Sequence, residues 1–163
     1  MTRKGFLTAG LGGIAALLLG RMTTSSSVRA ATNHEVMHTE AEWKKLLTPA
    51  QYDVLREEGT ERPFTSPLLH EERAGVFSCA GCDLPMFSSK TKFDSGTGWP
   101  SYWAALDKSV DEHTDRSFGM ARTAVNCRRC GGHMGHVFND GPKPTGLRYC
   151  MNGVAMKFTP GVA

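Results

Sequence analysis

The sequence has little of what a membrane protein or a nucleic-acid binder needs. Its longest apolar run, Phe6 to Leu19, covers about 14 residues and is diluted by Gly10, Gly12 and Gly13, short of the roughly 20 residues of a spanning helix. Surplus positive charge is confined to the first segment. Of 19 basic and 16 acidic residues, four basic ones (Arg3, Lys4, Arg21, Arg29) and no acidic one fall within residues 1–30, leaving 15 against 16. The remainder lacks a basic footprint, so no nucleic-acid partner is expected. There is no fixed-period repeat, and no low-complexity tract beyond Ser25 to Ser27. Cysteine is scarce as well: there are five, and four of them fall into two Cys-x-x-Cys pairs, which leaves Cys150 without an obvious partner.

Residues 1–30 read as an export signal. Arg3 and Lys4 lead into the apolar run, and Val28-Arg29-Ala30 places compact residues where a signal peptidase reads them, so the mature chain starts near Ala31. Such a segment is set aside from fold reasoning. "TRKGFL" resembles a twin-arginine signal with Lys4 in the second arginine's place, and Sec export is the alternative. A periplasmic or exported protein is expected, with retention by an uncleaved N-terminal anchor as the alternative. Residues 31–38 form a polar lead and 39–163 a single domain, large enough for one core and expected to be monomeric.

Within that domain the start signals are local and strong. Thr39 with Glu42, three residues on, makes a capping-box pattern. Thr48 followed by Pro49 opens a second short helix, which Gly59 is expected to close after Glu58. From Gly75 the texture changes to short apolar runs ("GVF", "PMF", "FGMARTAV", "HVF") between Gly, Pro, Asp and Asn, which predicts short strands joined by turns. Mainly β architecture follows: two small antiparallel sheets with short N-terminal helices. In the last predicted strand, Leu147, Tyr149 and Met151 share one face, and Arg148, Cys150 and Asn152 the other.

The paired cysteines, Cys79 with Cys82 and Cys127 with Cys130, are separated by 44 residues. Two such pairs supply the ligands of a closed four-thiolate zinc site. Disulfides are the competing reading for an exported protein. Glycine within or just after each turn favours metal knuckles, whose backbone N–H groups face the sulfurs. A pairing of Cys79 and Cys82 with His133 and His136 would orphan Cys127 and Cys130.

A lone cysteine is more often an inert small hydrophobe than a nucleophile. Cys150, however, shares its strand face with the Arg148 guanidinium, which favours the reactive thiolate. "GGHMGHVFNDG" adds His133, His136 and Asp140, residue types that move protons at an oxygen. Trp99, in the Gly- and Pro-rich loop "GTGWPSYW", is placed to line a pocket.

"GTERPFTSPL", "CAGC", "TKFDSGTGWPSYW", "NCRRCGGHMGHVFNDGPKPTGLRYCMNG" and "MKF" together resemble the methionine sulfoxide reductase B family, in order, over about residues 40–158. The resemblance implies reduction of methionine-R-sulfoxide, mainly in proteins, on a fold with one structural zinc held by Cys79, Cys82, Cys127 and Cys130. It makes Cys150 the nucleophile and gives His133 and His136, with Asp140 behind them, the water and proton network. Arg148 and Asn152 then flank the nucleophile, and Trp99 packs on the substrate's S-methyl group. Many members carry a resolving cysteine where this chain has Thr97. The Cys150 sulfenic acid is therefore expected to be reduced by an external thiol, such as a thioredoxin-like protein. Two other readings compete: a docking surface made of Trp99, Tyr102 and Trp103, and a hydrolase whose catalytic zinc is held by His133, His136 and Asp140.

Overall fold

The structure, a computed structural model, describes residues 34–162. Residues 1–30, where an export signal and its cleavage site are expected, lie outside the described residues. Helices α1 (Glu40–Leu46) and α2 (Pro49–Glu57) start at the expected caps. Thr39 and Thr48 each accept from the backbone N–H three residues on, and Glu42 and Gln51 return the bond to complete both capping boxes. Neither helix has the length to stand alone. They are held by Trp43, Val54 and Leu55, all buried. The end of α2 differs from expectation: it stops at Glu57, and Glu58 takes the left-handed conformation at φ 59°. Gly59 is needed instead for close approach, because a Cβ there would sit 2.2 Å from the Asp53 carboxylate.

Nine strands follow: β1 (Gly75–Cys79), β2 (Pro85–Ser88), β3 (Lys92–Phe93), β4 (Ser101–Tyr102), β5 (Val110–Asp115), β6 (Arg122–Cys127), β7 (His133–Phe138), β8 (Arg148–Met151) and β9 (Met156–Pro160). They form two antiparallel sheets, ordered β2-β1-β9 and β3-β4-β8-β7-β6-β5. Two details depart from the sequence reading. Phe118 and Gly119 of "FGM" fall in a single 3-10 turn, Ser117–Gly119, rather than in strand, and β5, "VDEHTD", is absent from the sequence reading. That strand lies at the edge of its sheet with a largely exposed, polar surface, where no apolar alternation is required.

The core lies between the sheets. Phe77 of β1 and Phe87 of β2 close on Tyr102 of β4, the latter pair stacked at 4.4 Å between ring centroids. Met86, Met134, Met151 and Val125 fill the space around them. Tyr102 is fully buried and so cannot belong to a docking surface. On β8 the alternation holds, with Tyr149 and Met151 in the core and Arg148 and Cys150 on the opposite, partly open face.

One irregularity decides what that open face carries. Gly135 pairs with Val125, yet His133, two residues earlier, pairs with the adjacent Asn126, so β7 holds one extra residue at this point. Such a bulge re-aims side chains. It sends Met134 into the core and turns His133 to the same side as His136, their ring centroids 5.3 Å apart. Gly135 lies against β8 so closely that a Cβ would stand 2.2 Å from the Cys150 carbonyl oxygen, with φ at 155° besides. We expect Gly135→Ala to destabilise the fold by about 3 kcal/mol. Urea denaturation against wild type measures this, and a loss below about 0.5 kcal/mol would contradict it.

Candidate active site

Cys150 lies mid-sheet, paired in register with His136 of β7 on one side and Ser101 of β4 on the other. Directly opposed residues of an antiparallel pair share a face, so His136, Cys150 and Ser101 form a row. The row runs on through Ala124 of β6 to His113 of β5.

The acid side of the row is built on β5 and β7. His136 Nε2 lies 2.9 Å from Asp115 Oδ2. Asp115 also receives the Ser117 amide at 2.8 Å and Arg122 at 2.7 Å. The Ser117 amide, His136 and Arg122 hold its carboxyl well below the usual carboxylate range. An ionised carboxylate only accepts, so Nε2 of His136 carries the hydrogen and Nδ1 is left as the acceptor. Burial outweighs Asp115 and pushes His136 below its ordinary value. His133 is only 3 % exposed, and burial, aided by its neighbour His136, pushes it down to about 4. Its Nδ1 is buried without a hydrogen-bond partner among the described residues. Near pH 7 both imidazoles are neutral.

The cation side belongs to β8. Arg148 grips Asp140 through two bonds, 2.9 and 2.8 Å long, and stacks over Phe138 at 4.4 Å. Asp140, followed by the nearby Cys150 sulfur, holds the guanidinium firmly charged. Asp140 therefore backs Arg148, not the histidines. The bidentate fit of guanidinium to carboxylate captures it, and Asp115, distant in sequence, takes the place behind His136. No group of His133, His136 and Asp140 converges as a metal site among the described residues, which removes the geometric basis of the hydrolase reading.

Asn152 does not present a free amide to the thiol. It is 3 % exposed, its Nδ2 donates to the Met134 carbonyl, and its Oδ1 accepts from the Glu61 amide. Glu61, which sequence reasoning passed over, ties the site's loops together. Its carbonyl takes the Trp99 indole N–H at 3.1 Å, and its carboxylate accepts from Gly153 N and Val154 N, just past the strand that carries Cys150. Trp99 is thereby fixed, half-buried, beside Phe64, whose amide donates to the Gly98 carbonyl and which is 67 % exposed. Thr97 Oγ1 lies 3.7 Å from Cys150 Sγ.

Away from this row, Cys79, Cys82, Cys127 and Cys130 converge, all four sulfurs within 4.8 Å of one another. The pairs Cys79–Cys130 and Cys82–Cys127 are 3.7 and 3.4 Å apart. Bound tetrahedrally at the usual zinc–sulfur length, the sulfurs of such a site stand about 3.8 Å apart, so the donor set fits zinc. All five cysteines are free thiols. The two knuckles share one hydrogen-bond pattern. Cys79 N bonds Leu84 O and Asp83 N bonds Cys79 O; Cys127 N bonds Gly132 O and Gly131 N bonds Cys127 O. The residue after each second cysteine, Asp83 or Gly131, is left-handed, and Gly81 N points at Cys79 Sγ, as a knuckle requires.

A thiol held between a fixed cation and neutral imidazoles suits attack on a polar, oxidised electrophile, which places the domain among thiol-dependent oxidoreductases. Comparison with known proteins narrows the class. The SelR domain matches residues 47–160. Peptide methionine sulfoxide reductase MsrB of Agrobacterium fabrum is 54% identical over 130 residues, 79% of this chain and 96% of that protein. The protein of the same name from Pseudomonas putida is 56% identical over 120 residues, 73% of this chain and 90% of its own. That of Leptospira interrogans is 52% identical over 127 residues, covering 77% and 97%. The chain belongs to the methionine sulfoxide reductase B family.

Two outcomes are expected. Cys79→Ser leaves an open, weakened cluster, and because metal binding is coupled to folding it should lose bound zinc and unfold rather than lose chemistry selectively; metal analysis with circular dichroism checks this. For His133, the unfolded state binds the extra proton between about pH 6.5 and pH 4, so stability should fall as pH drops through that window, by at most about 3 kcal/mol from this residue. Denaturation midpoints of wild type and His133→Gln across pH 4–7 should show the variant losing less.

Proposed function

We propose that this chain reduces methionine-R-sulfoxide, mainly in proteins, using Cys150 as the nucleophile. The observation that carries the proposal is the row that sets Cys150 between Ser101 and His136, with Arg148 on the same face of β8. The R configuration follows from the family. An open rim made by Trp99 and the exposed Phe64 supports a substrate that arrives as part of a protein chain.

A sulfoxide sulfur is a poor electrophile until its oxygen is protonated. The Cys150 thiolate attacks sulfur while a proton reaches the oxygen from the His133–His136 side. The S–O bond breaks, oxygen passes to Cys150, and the substrate sulfur leaves as a thioether. The sulfoxide is reduced by two electrons to methionine, and the cysteine is oxidised by two electrons to a sulfenic acid, S–OH. The low proton affinity of His133 makes its protonated form a strong acid, suited to a weakly basic sulfoxide oxygen. Trp99 receives the S-methyl group, Arg148 with Asp140 keeps a positive charge at the sulfur, and Asn152 fixes the strand end. Cys79, Cys82, Cys127 and Cys130 would hold one zinc, which supplies structure and no step of the reaction.

Two molecules of an external thiol, or one dithiol, then return Cys150 to the thiol, releasing water and a disulfide. The other four cysteines are engaged in the cluster, and Thr97 stands where a resolving thiol is found in other members. A thioredoxin-like donor in the periplasm or another exported compartment is consistent with reading residues 1–30 as an export signal. No helix among the described residues is long and apolar enough to cross a membrane.

The purified protein with dithiothreitol should reduce the R epimer of dabsylated methionine sulfoxide, spare the S epimer, and be inactive as Cys150→Ser. Without reductant, one turnover should leave a dimedone-reactive Cys150. Equal rates on both epimers, or an active serine variant, would overturn the proposal.

A further inference from the structure

The loop facing Cys150 carries a chain of hydroxyls. Thr97 Oγ1 lies 3.7 Å from Cys150 Sγ and 2.8 Å from Ser95 Oγ. Ser95 Oγ lies 2.7 Å from Ser101 Oγ, and Ser101 Oγ is 3.1 Å from the Trp99 carbonyl oxygen. The Thr97 amide also points at Ser95 Oγ, at 3.5 Å. Ser101 is fully buried and is the strand partner of Cys150, so the chain starts and ends at the nucleophile's own register position.

Each hydroxyl brings one proton, and the line has four contacts: sulfur to Thr97, Thr97 to Ser95, Ser95 to Ser101, and Ser101 to the carbonyl. When Cys150 is a thiol, its S–H supplies the fourth proton and every contact is filled in one direction, Cys150 to Thr97 to Ser95 to Ser101 to the Trp99 carbonyl. When Cys150 is a thiolate, three protons remain for four contacts. The anion is the strongest acceptor, since hydrogen bonds to an ionised partner are roughly twice as strong as neutral ones. All three hydroxyls then reverse, and Thr97 donates to sulfur.

We propose that Thr97 is a catalytic residue, the head of a reversible Thr97–Ser95–Ser101 hydroxyl relay that stabilises the Cys150 thiolate by donating to it. In this chain the position that lacks a resolving thiol thus tunes the nucleophile instead. The relay rests on Cys150 being the reacting sulfur. The charged and titratable groups on the elements beside that sulfur include Arg148 on β8, backed by Asp140, His136 on β7, backed by Asp115 and flanked by His133, His113 farther along the row on β5, and Glu61, whose carboxylate accepts from the Gly153 and Val154 amides just past β8. On the loop side Asp94 is exposed and bonds the Gly96 amide, and the remaining polar side chains are the hydroxyls.

Alkylation of Cys150 by iodoacetamide, followed by mass spectrometry of its peptide in the full chain as purified, tests the relay without any sulfoxide. Thr97→Val keeps the side chain's shape and removes the hydroxyl. It should be alkylated about tenfold more slowly at pH 7, with the rate profile moved to higher pH, whereas Thr97→Ser should stay within about twofold of wild type. Ser95→Ala removes the donor behind Thr97 and should fall between, at about threefold. Wild-type rates in Thr97→Val, or equal slowing in Thr97→Ser, would overturn the relay. If Thr97→Val does not fold, a wild-type rate in Ser95→Ala overturns it. Sulfoxide turnover by the wild-type enzyme separately tests the reading beneath it.

Discussion

The approach of Gly135 to the Cys150 carbonyl is the contact on which the site depends. With no Cβ, Gly135 lets β7 close onto β8, and the bulge that it terminates lets two histidines three residues apart face the same way. In a regular strand, residues three apart point to opposite faces. His133 would then enter the core and Met134 would face the thiol. The Asn152 amide locks the arrangement from behind by donating to the carbonyl of Met134, the extra residue itself. Asn152 thus acts on the histidine side of the site through the backbone of β7.

The cysteine cluster serves this geometry at a remove. Its knuckles lie at the ends of β1 and β6, so a bound metal cross-links the small sheet to the large one. The surrounding chain is arranged to keep that junction closed. His34 and Val36 bond the carbonyls of Arg128 and Arg129, Glu35 pairs with both arginines, and Arg56 reaches the Cys130 carbonyl while stacking on Trp43. The stretch expected to be a mere polar lead is, from residue 34, part of this cover. A four-thiolate site gives a small domain the stability that its short strands cannot supply.

How much was legible in the sequence follows the range of each interaction. Capping boxes, the knuckle turns and the two-faced β8 depend on residues within four positions of each other, and all were readable. The family resemblance put Asp140 behind the histidines, but in the fold Arg148 claims it. The true partner, Asp115, sits on β5, an edge strand so polar that no periodicity betrays it. Glu61 escaped for a related reason. Its bonds run to Trp99, Asn152, Gly153 and Val154, across sequence separations that no local pattern encodes. The bulge at Met134 was equally hidden, since it exists only relative to β6.

The site's electrostatics oppose two demands that a single residue could not meet. A thiolate needs nearby positive charge or donors, whereas a proton bound for a sulfoxide oxygen needs a carrier that releases it easily. Were His133 or His136 charged at rest, the imidazolium would stabilise the thiolate but hold the proton too tightly. Burial keeps both neutral, and in the proposed reaction the task of favouring the anion passes to Arg148, whose charge Asp140 secures. Thr97, polar but uncharged, stands 3.7 Å from the sulfur. A second cation there would compete with Arg148 for the same anion and lower the sulfur's nucleophilicity, since thiols of lower proton affinity attack more weakly. A hydroxyl that donates or accepts as the sulfur changes state stabilises the thiolate without fixing it.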